Sequence, residues 1–449
     1  MRASGSPPSL SPLSSSASTR SSAARAAAPA RALTAVLGLA LGACGADDES
    51  AGASVGAADA VNGSSDAPSG SPGASGVSGS GLVEDVPVAG ACASQVAADT
   101  FTAAVCSCED TRVAGYLRTT SFRSRPLPAG VPTALMSAVG AAAAGSVGVN
   151  RDYVTAGYAD VRGSFIVAGA RDVAFGGYLK AGEDVRLNPA FDVAGLVEVG
   201  RDAFLKNDAR VFGKVDIGRD LYLEPGSDIS GIAVVDVGGQ RRSEAVQVEA
   251  PCACAPEQII DVAALVDAAR DDNDNAGAGL GADDLNAVVG IGAEATLPGG
   301  RYYLHQLGGV GSLTLHVSAD TALFVEDDLI ATGLLRVELA PDAELDVFVR
   351  DNLVVTGAAV FGDPERPSAT RIYVGGTGDV TIAGAAAFVG NLYAPQANIL
   401  VGGVGQVWGS LFGENIIAAG FVDLGYDASI RDGGEGCPPL EPGDIPRIR

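Results

Sequence analysis

Apolar and small residues recur along the middle of this chain in two nested periods. Between Phe175 and Val235 the same pattern returns every eighteen residues, and inside each repeat an aliphatic or small residue occupies every second position. The aligned columns are Phe175, Val193, Val211 and Ile229; Gly177, Gly195, Gly213 and Gly231; Leu179, Val197, Val215 and Ala233; Ala181, Val199, Ile217 and Val235. Alternation within a longer fixed repeat predicts short strands that stack coil upon coil, as in a β-solenoid.

The pattern predicts an all-β fold of two linked β-solenoids (a β-helix with about 18 residues per coil), joined by a short helix. We place the first solenoid at 150–248 and the second at 286–430. Charged pairs mark the corners of the first solenoid: Arg151-Asp152, Arg171-Asp172, Glu183-Asp184, Arg201-Asp202 and Arg219-Asp220. We expect each Asp to bond to backbone at its turn, while the neighbouring Arg offsets the stacked negative charge.

The remaining segments differ from the solenoids in composition. Residues 1–43 read as a lipoprotein signal peptide, and 44–85 as a disordered Gly/Ser/Ala tether, because so few large apolar residues cannot offset the entropy of the chain. Residues 86–149 form a cysteine-bearing lead-in. Residues 249–285 carry a Cys-x-Cys pair, a helix and an acidic loop, and 431–449 form a C-terminal tail.

The N-terminal segment predicts export. Leu41-Gly42-Ala43-Cys44 follows a short apolar run and several arginines, which is the arrangement of a secretory signal and is too short to span a bilayer. The string resembles the lipobox of bacterial lipoproteins. By that resemblance Cys44 would be acylated and would anchor the chain in the outer membrane, on its periplasmic or cell-surface side.

Charge limits the partners that the chain can bind. There are 54 acidic and 29 basic residues, and the formal net charge is −25. This balance argues against nucleic acid and against direct electrostatic binding to anionic lipid. Contact with the membrane is therefore expected through the lipid anchor alone. We interpret most of the charge as a solvated surface, with cation-assisted contact with a polysaccharide as the alternative. A polysaccharide or a surface protein is the candidate partner besides the membrane.

Six further cysteines fit an oxidising compartment. They are Cys92, Cys106, Cys108, Cys252, Cys254 and Cys437. An even number in an exported chain predicts three disulfides, whose connectivity the spacing leaves open. The alternative is a four-thiolate zinc site formed by the two Cys-x-Cys pairs.

A helix and an acidic loop are predicted between the solenoids. Glu257 to Arg270 carries an apolar stripe at helical spacing, and we expect this helix to cover an open end of one stack. The loop that follows invites a weak calcium assignment, with Asp272, Asp274 and Asp283 at spacings close to those of an EF-hand. The fifth position is Ala276 and the twelfth is not Glu, so a solvated acidic loop is the alternative.

Few residues suggest catalysis. The only histidines are His305 and His316, and we interpret both as structural. The sequence lacks a zinc-protease motif, a phosphate-binding loop and a dinucleotide fingerprint in a strand-to-helix setting. We therefore predict no enzyme and no cofactor. A polysaccharide lyase or hydrolase on a β-helix remains the alternative, although the spacing of the many acids selects no particular pair.

One stretch carries a more specific resemblance. Gly390-Asn391-Leu392-Tyr393-Ala394-Pro395, followed by Trp408-Gly409-Ser410-Leu411-Phe412 and Leu424-Gly425-Tyr426-Asp427, resembles an uncharacterised β-solenoid domain of bacterial surface proteins. We associate that domain with myxobacterial lipoproteins and pilus-associated proteins, and its coils are similar in style to bactofilins. The resemblance implies a surface-displayed structural or adhesive role and brings no catalytic residues. A calcium-dependent glycan-binding module is a further alternative.

Overall fold

The computed structural model describes residues 93–124, 145–171, 173–231, 234–286, 290, 292–356, 358–383, 388–433, 445 and 447–448. Within these residues the chain folds as a β-solenoid with few helices, which confirms the predicted fold class. All of the pairings between named strands are parallel, as stacking of successive coils requires.

The N-terminal half of the stack consists of coils with three short strands each. In most of these strands the first and third residues are buried and the middle residue lies on the outer surface. We call the sides formed by the first, second and third strand of each coil face 1, face 2 and face 3. Face 1 consists of β1 (Val105–Ser107), β4 (Val147–Val149), β7 (Phe165–Val167), β10 (Val185–Leu187), β13 (Ala203–Leu205), β16 (Leu221–Leu223) and β19 (Arg241–Ser243). Face 2 consists of β2 (Thr111–Val113), β5 (Tyr153–Thr155), β8 (Val173–Phe175), β11 (Phe191–Val193), β14 (Ala209–Val211) and β17 (Ile229–Gly231). Face 3 consists of β3 (Tyr116–Phe122), β6 (Ala159–Val161), β9 (Leu179–Ala181), β12 (Val197–Val199), β15 (Val215–Ile217) and β18 (Val235–Val237).

The C-terminal half has the same three faces, with longer strands mainly on faces 1 and 3. Face 1 consists of β21 (Gly300–Leu304), β24 (Thr321–Val325), β27 (Leu345–Val349) and β30 (Thr370–Val374). Face 2 consists of β22 (Leu307–Gly309), β25 (Leu329–Ala331), β28 (Leu353–Val355) and β31 (Val380–Ala383). Face 3 consists of β20 (Ala293–Leu297), β23 (Ser312–Val317), β26 (Leu334–Leu339) and β29 (Ala358–Val360). The continuous element β32 (Phe388–Asp427) completes the last coils.

The two predicted solenoids belong to one stack, and the described chain begins in its middle. Strand β1 pairs with β4 on one side and with β32 on the other, so Val105 lies beside both Val147 and Leu411. Strands β2 and β3 likewise pair with β32. The first half of the chain builds coils in one direction, and the second half starts at the far end and closes against the first coil.

A return segment, residues 244–260, runs along the outside of the stack from its outermost coil. The backbone N–H of Val246 donates to the Glu224 carboxylate at 2.6 Å, and the amide side chain of Asn150 exchanges two hydrogen bonds with the backbone of Cys252, both at 3.0 Å. The segment therefore runs from the outermost coils back to the central coil, where the two halves meet.

The helix after the return segment differs from its predicted position. A short 3-10 helix (Pro256–Gln258) comes first, and helix α2 runs over Val262–Asp271 because the Asp261 side chain caps it by accepting the N–H of Ala264 at 3.0 Å. Helix α2 packs along face 1 over β21, β24 and β27 and does not cover an end of the stack. The other helices are α1 (Ala93–Thr100), α3 (Asn275–Ala278) and the 3-10 turns Pro367–Ala369 and Ala428–Asp432.

The predicted columns hold over three coils and are wrong at the fourth. Phe175 pairs with Val193, and Val215 with Val197, at the eighteen-residue offset. Beyond them, Val211 pairs with Gly231 and not with Ile229, and Val215 pairs with Val235 and not with Ala233. The turn around Pro225 and Gly226, where Gly226 has a φ of +97°, adds two residues and lengthens the coil.

The predicted glycine column is observed where the backbones of neighbouring coils approach closely. Gly195 N–H donates to the carbonyl of Gly177 at 2.7 Å, and a Cβ added to Gly213 would lie 2.5 Å from the carbonyl oxygen of Gly195. Inside the coils the buried side chains are mostly Val, Leu, Ile, Ala and Phe, each of which stabilises the stack by about 1.5–3 kcal/mol when it is large and fully buried. The described residues contain no helix long and apolar enough to cross a membrane.

Candidate binding surface

The cysteines form a clasp at the centre of the stack. Cys106 is bonded to Cys252 and Cys108 to Cys254, so the two Cys-x-Cys pairs join the central coil to the return segment. Bonded sulfurs are not thiolate ligands, which overturns the zinc alternative. The predicted Cys92 and Cys437, like the lipidation residue Cys44, lie outside the described residues.

The acidic loop covers an edge of the stack. Asp274 and Asn275 use their side chains to bond the backbone of the edge strand β21: the Asp274 carboxylate accepts from Arg301 N–H at 2.8 Å, and the Asn275 side chain exchanges two bonds with Tyr303 at 2.7 and 2.9 Å. This loop performs the edge protection that the sequence assigned to the preceding helix.

The other two calcium candidates pair with basic side chains. Asp272 forms an ion pair at 2.9 Å with the guanidinium of Arg301, whose backbone N–H donates to Asp274. Asp283 bonds to His305 at 2.9 Å, and this hydrogen bond raises the pKa of the imidazole. In the described part of the chain, no three Asp, Glu, His or Cys side chains are grouped closely enough to hold a metal ion.

The Arg-Asp corners connect neighbouring coils. The Asp184 carboxylate accepts the N–H of Asp202 at 3.3 Å, Asp202 accepts that of Asp220 at 3.0 Å, and Asp220 accepts that of Gln240 at 2.8 Å. Each bond therefore reaches the next coil, whereas the sequence predicted a bond within the same turn. The charge-assisted hydrogen bond from Arg219, at 2.7 Å, lowers the pKa of Asp202.

One buried ion pair escaped the sequence analysis. Arg371 on β30 donates to both oxygens of Asp346 at 2.6 and 2.7 Å and to Glu344 at 2.7 Å, and its side chain is almost fully buried. Burial dominates at Asp346 and raises the pKa of its carboxyl. The sequence offered no signal for this pair, since the partners are brought together only by the stacking of β27 on β30.

A single column of outward-facing side chains runs along face 1 through both halves. Strand registers and ring contacts give its order: Tyr303, Phe324, Phe348, Tyr373, Tyr393, Phe412, Cys106, Gly148, Ile166, Arg186, Phe204, Tyr222 and Arg242. The column crosses the point where the C-terminal coil meets the first coil.

Helix α2 and the return segment cover the first part of this column. The rings of Phe324, Phe348 and Tyr373 stack with centroids 5.0 and 4.8 Å apart and are buried. The backbone N–H of Ile260 donates to the Tyr393 hydroxyl at 3.1 Å, and burial raises the pKa of that phenol to about 12. Arg270 of α2 bonds the Tyr303 hydroxyl at 3.1 Å.

The last four positions of the column, which we call the bare ladder, carry no such cover. They are Arg186, Phe204, Tyr222 and Arg242, and all four remain half-exposed or exposed. The guanidinium of Arg186 lies 4.3 Å from the Phe204 ring centroid, the Phe204 and Tyr222 rings are parallel at 4.5 Å, and Arg242 lies 5.5 Å from the Tyr222 centroid. Two aromatic rings are thus sandwiched between two cations.

The surface around the bare ladder presents cations outward. Side chains of Arg186, Arg201, Arg219 and Arg242 are 40, 43, 58 and 43% exposed, whereas their partners Asp184, Asp202 and Asp220 are 6, 4 and 17% exposed. An approaching molecule therefore meets guanidinium groups before carboxylates. This patch contrasts with the net charge of −25 of the whole chain.

The bare ladder was missed because the sequence was read for its buried residues. The ladder positions recur at offsets of 18, 18 and 20 residues, as in the buried columns, but they are polar or aromatic middle residues of strand triplets. The same offsets applied to those middle residues would have found it.

Comparison with known proteins supports the family resemblance only in part. Residues 240–433 match a family model described as "Domain of unknown function (DUF7305)", which agrees with the resemblance to an uncharacterised β-solenoid domain. No curated protein matches. Among solved structures, the chain is similar to an ice binding protein from an Antarctic bacterium, Flavobacteriaceae, with 11% identity over 75% of this chain and 99% of that one and a TM-score of 0.18. At that TM-score the match says nothing about binding.

Proposed function

We propose that this chain is a non-catalytic lipoprotein of the outer membrane whose solenoid is displayed as a structural or adhesive module. The observation that carries the proposal is the continuous stack. In it, acidic and basic side chains that could act in catalysis instead form hydrogen bonds and ion pairs between neighbouring coils. The corner aspartates bond the next coil, and Arg371 is bonded to Asp346. His305 and His316 both lie on the surface, 2.9 Å from the carboxylate of Asp283 and 3.2 Å from that of Glu338 respectively.

The anchor is tested by fractionation. We expect wild-type protein in the outer-membrane fraction with incorporated labelled fatty acid, and Cys44→Ser in the soluble fraction without label. Membrane retention of Cys44→Ser would overturn the lipid anchor.

Adhesion and catalysis are separated by one incubation. The protein purified from the membrane in detergent is placed on an array of bacterial polysaccharides, with calcium or with chelator, and both retention and released fragments are read. We expect retention on at least one glycan, with no released fragments. Released fragments would establish the enzyme alternative, and retention lost with chelator and in Asp272→Asn would establish the calcium-dependent one.

A further inference from the structure

We propose that the bare ladder on face 1 binds an acidic amphipathic helix of a partner protein. The inference deepens the adhesive role proposed above and rests on it, because it names the surface and the chemical class of the partner. It rests on the continuity of the face 1 column, the charge around the bare ladder and its length.

The first argument is continuity with an interface that the chain already forms. The same outward column is covered by helix α2 over β21, β24 and β27, where Val262, Leu265, Val266 and Ala269 are buried. Stacked aromatic rings form the floor under α2 and also the bare ladder. A floor of stacked rings with the same strand spacing offers the same grooves to an apolar helical stripe.

The second argument is charge. Helix α2 is fixed over its floor by ion pairs at its polar edge, such as Asp267 with Arg350 at 2.6 Å. Around the bare ladder the exposed ends are the guanidinium groups of Arg186, Arg201, Arg219 and Arg242, above largely buried carboxylates. A helix that covers it needs carboxylates flanking its apolar stripe.

The third argument is length. Arg186 and Arg242 are three coils apart, which is about 14 Å at the strand spacing of 4.7–4.9 Å. A helix rises 1.5 Å per residue, so acids that reach both arginines lie roughly nine or ten residues apart. The partner element is therefore a helix of about three turns with carboxylates towards both ends.

The chain itself supplies a probe of this chemistry. A synthetic peptide of residues 257–272 carries five carboxylates, one arginine and the apolar stripe of α2. Labelled peptide is titrated against the full-length protein in detergent, and binding is read by fluorescence anisotropy. We expect saturable binding of one peptide per chain.

Substitutions in the bare ladder test whether the peptide binds there. Phe204→Ala with Tyr222→Ala is expected to weaken binding about tenfold or more, and Arg186→Glu by a similar factor. The matched control is Arg210→Glu on face 2, which makes the same charge change at a half-exposed ion pair with Asp192 and should leave binding unchanged. A circular dichroism melt confirms that each variant is folded, and Arg186→Glu keeps the test valid if the double variant unfolds.

Three outcomes overturn the inference. They are the absence of peptide binding at millimolar concentration, binding that no ladder variant weakens, and undiminished binding of a peptide whose Leu265 and Val266 are both replaced by Asp. Polygalacturonate binding to the ladder without peptide binding would reassign the surface to an anionic polysaccharide. Because glycan retention and membrane anchoring are measured separately, failure here leaves the adhesive role standing, and an unanchored chain would still bind the peptide.

Discussion

The two ends of the face 1 column show how one solenoid surface serves two purposes. Under helix α2 and the return segment the column is an uninterrupted run of aromatic rings from Tyr303 to Phe412, and these rings are as buried as the inside of the coils. At the other end the rings of Phe204 and Tyr222 remain half-exposed, with Arg186 next to one ring and Arg242 next to the other. Where another element packs on the outside of a coil, the outward-facing side chains there are buried. In that covered run the outward-facing residues of the strands are all aromatic, whereas arginines flank the rings of the bare ladder.

The largest expected effect distinguishes the covered and bare rings directly. Phe348→Ala should lower the free energy of unfolding by about 3–5 kcal/mol, because it leaves a cavity beneath helix α2. Phe204→Ala should cost only about 1 kcal/mol, since its ring is already half-exposed. Urea unfolding of both variants measures the difference. Equal losses would mean that the bare ladder is covered in solution.

The disulfide clasp should rank next. Replacing Cys106 and Cys252 by Ser removes a crosslink between residues 146 positions apart, and we expect a loss of about 2–5 kcal/mol. The change should also loosen the return segment where it enters the covered part of the column. Hydrogen exchange at Ile260 and in helix α2 should rise more than exchange in β12. Uniform exchange would show that α2 needs no clasp.

A smaller effect is expected in the N-terminal half of the stack, at the glycine column where neighbouring coils touch. Gly213→Val should cost about 1–3 kcal/mol, because its Cβ would lie 2.5 Å from the Gly195 carbonyl oxygen. Gly277→Val is the matched control, since a Cβ there meets no atom within 4 Å. Thermal melts of the two variants make the comparison. An unchanged melting temperature in Gly213→Val would contradict the observed register.

The smallest effect is expected at the Asp202 corner of the N-terminal half, where the contribution to stability depends on pH. Asp202→Asn should cost about 0.5–1.5 kcal/mol at neutral pH, because it loses the charge-assisted bond to Arg219, whose guanidinium is exposed to solvent. The folded pKa of Asp202 is lowered, so its contribution is present above the unfolded pKa of about 3.9 and is lost as pH falls through the folded value.

The matched control for that corner is Asp192→Asn. Asp192 pairs with Arg210 at a site where both side chains are about half-exposed, and such pairs contribute about 0–1 kcal/mol. Urea unfolding at neutral and acid pH should therefore separate the two variants above pH 4 and bring them together in acid. A gap that persists at pH 2 would show that Asp202 stabilises the fold by something other than its charge.

The sequence by itself determined the features that depend on residues within one coil or on adjacent coils. Alternating Val, Leu and Ile predicted which side chains face inward, and the glycine column at Gly177, Gly195 and Gly213 predicted where coils touch. These features can be predicted from the sequence because each coil buries side chains at the same positions as the next coil. The two-residue lengthening at Gly226 broke the predicted register because a positive-φ turn extends a coil without changing its alternation.

Tertiary structure alone decided the order of the coils, the disulfide partners and the outward column. Val105 meets Leu411 across more than three hundred residues, and no local period encodes which coil stacks on the first one. The pairing of Cys106 with Cys252 follows from the path of the return segment along the outside of the stack. Phe348 and Phe204 occupy equivalent positions in their strands, so only the element lying above each of them decides which is core and which is surface.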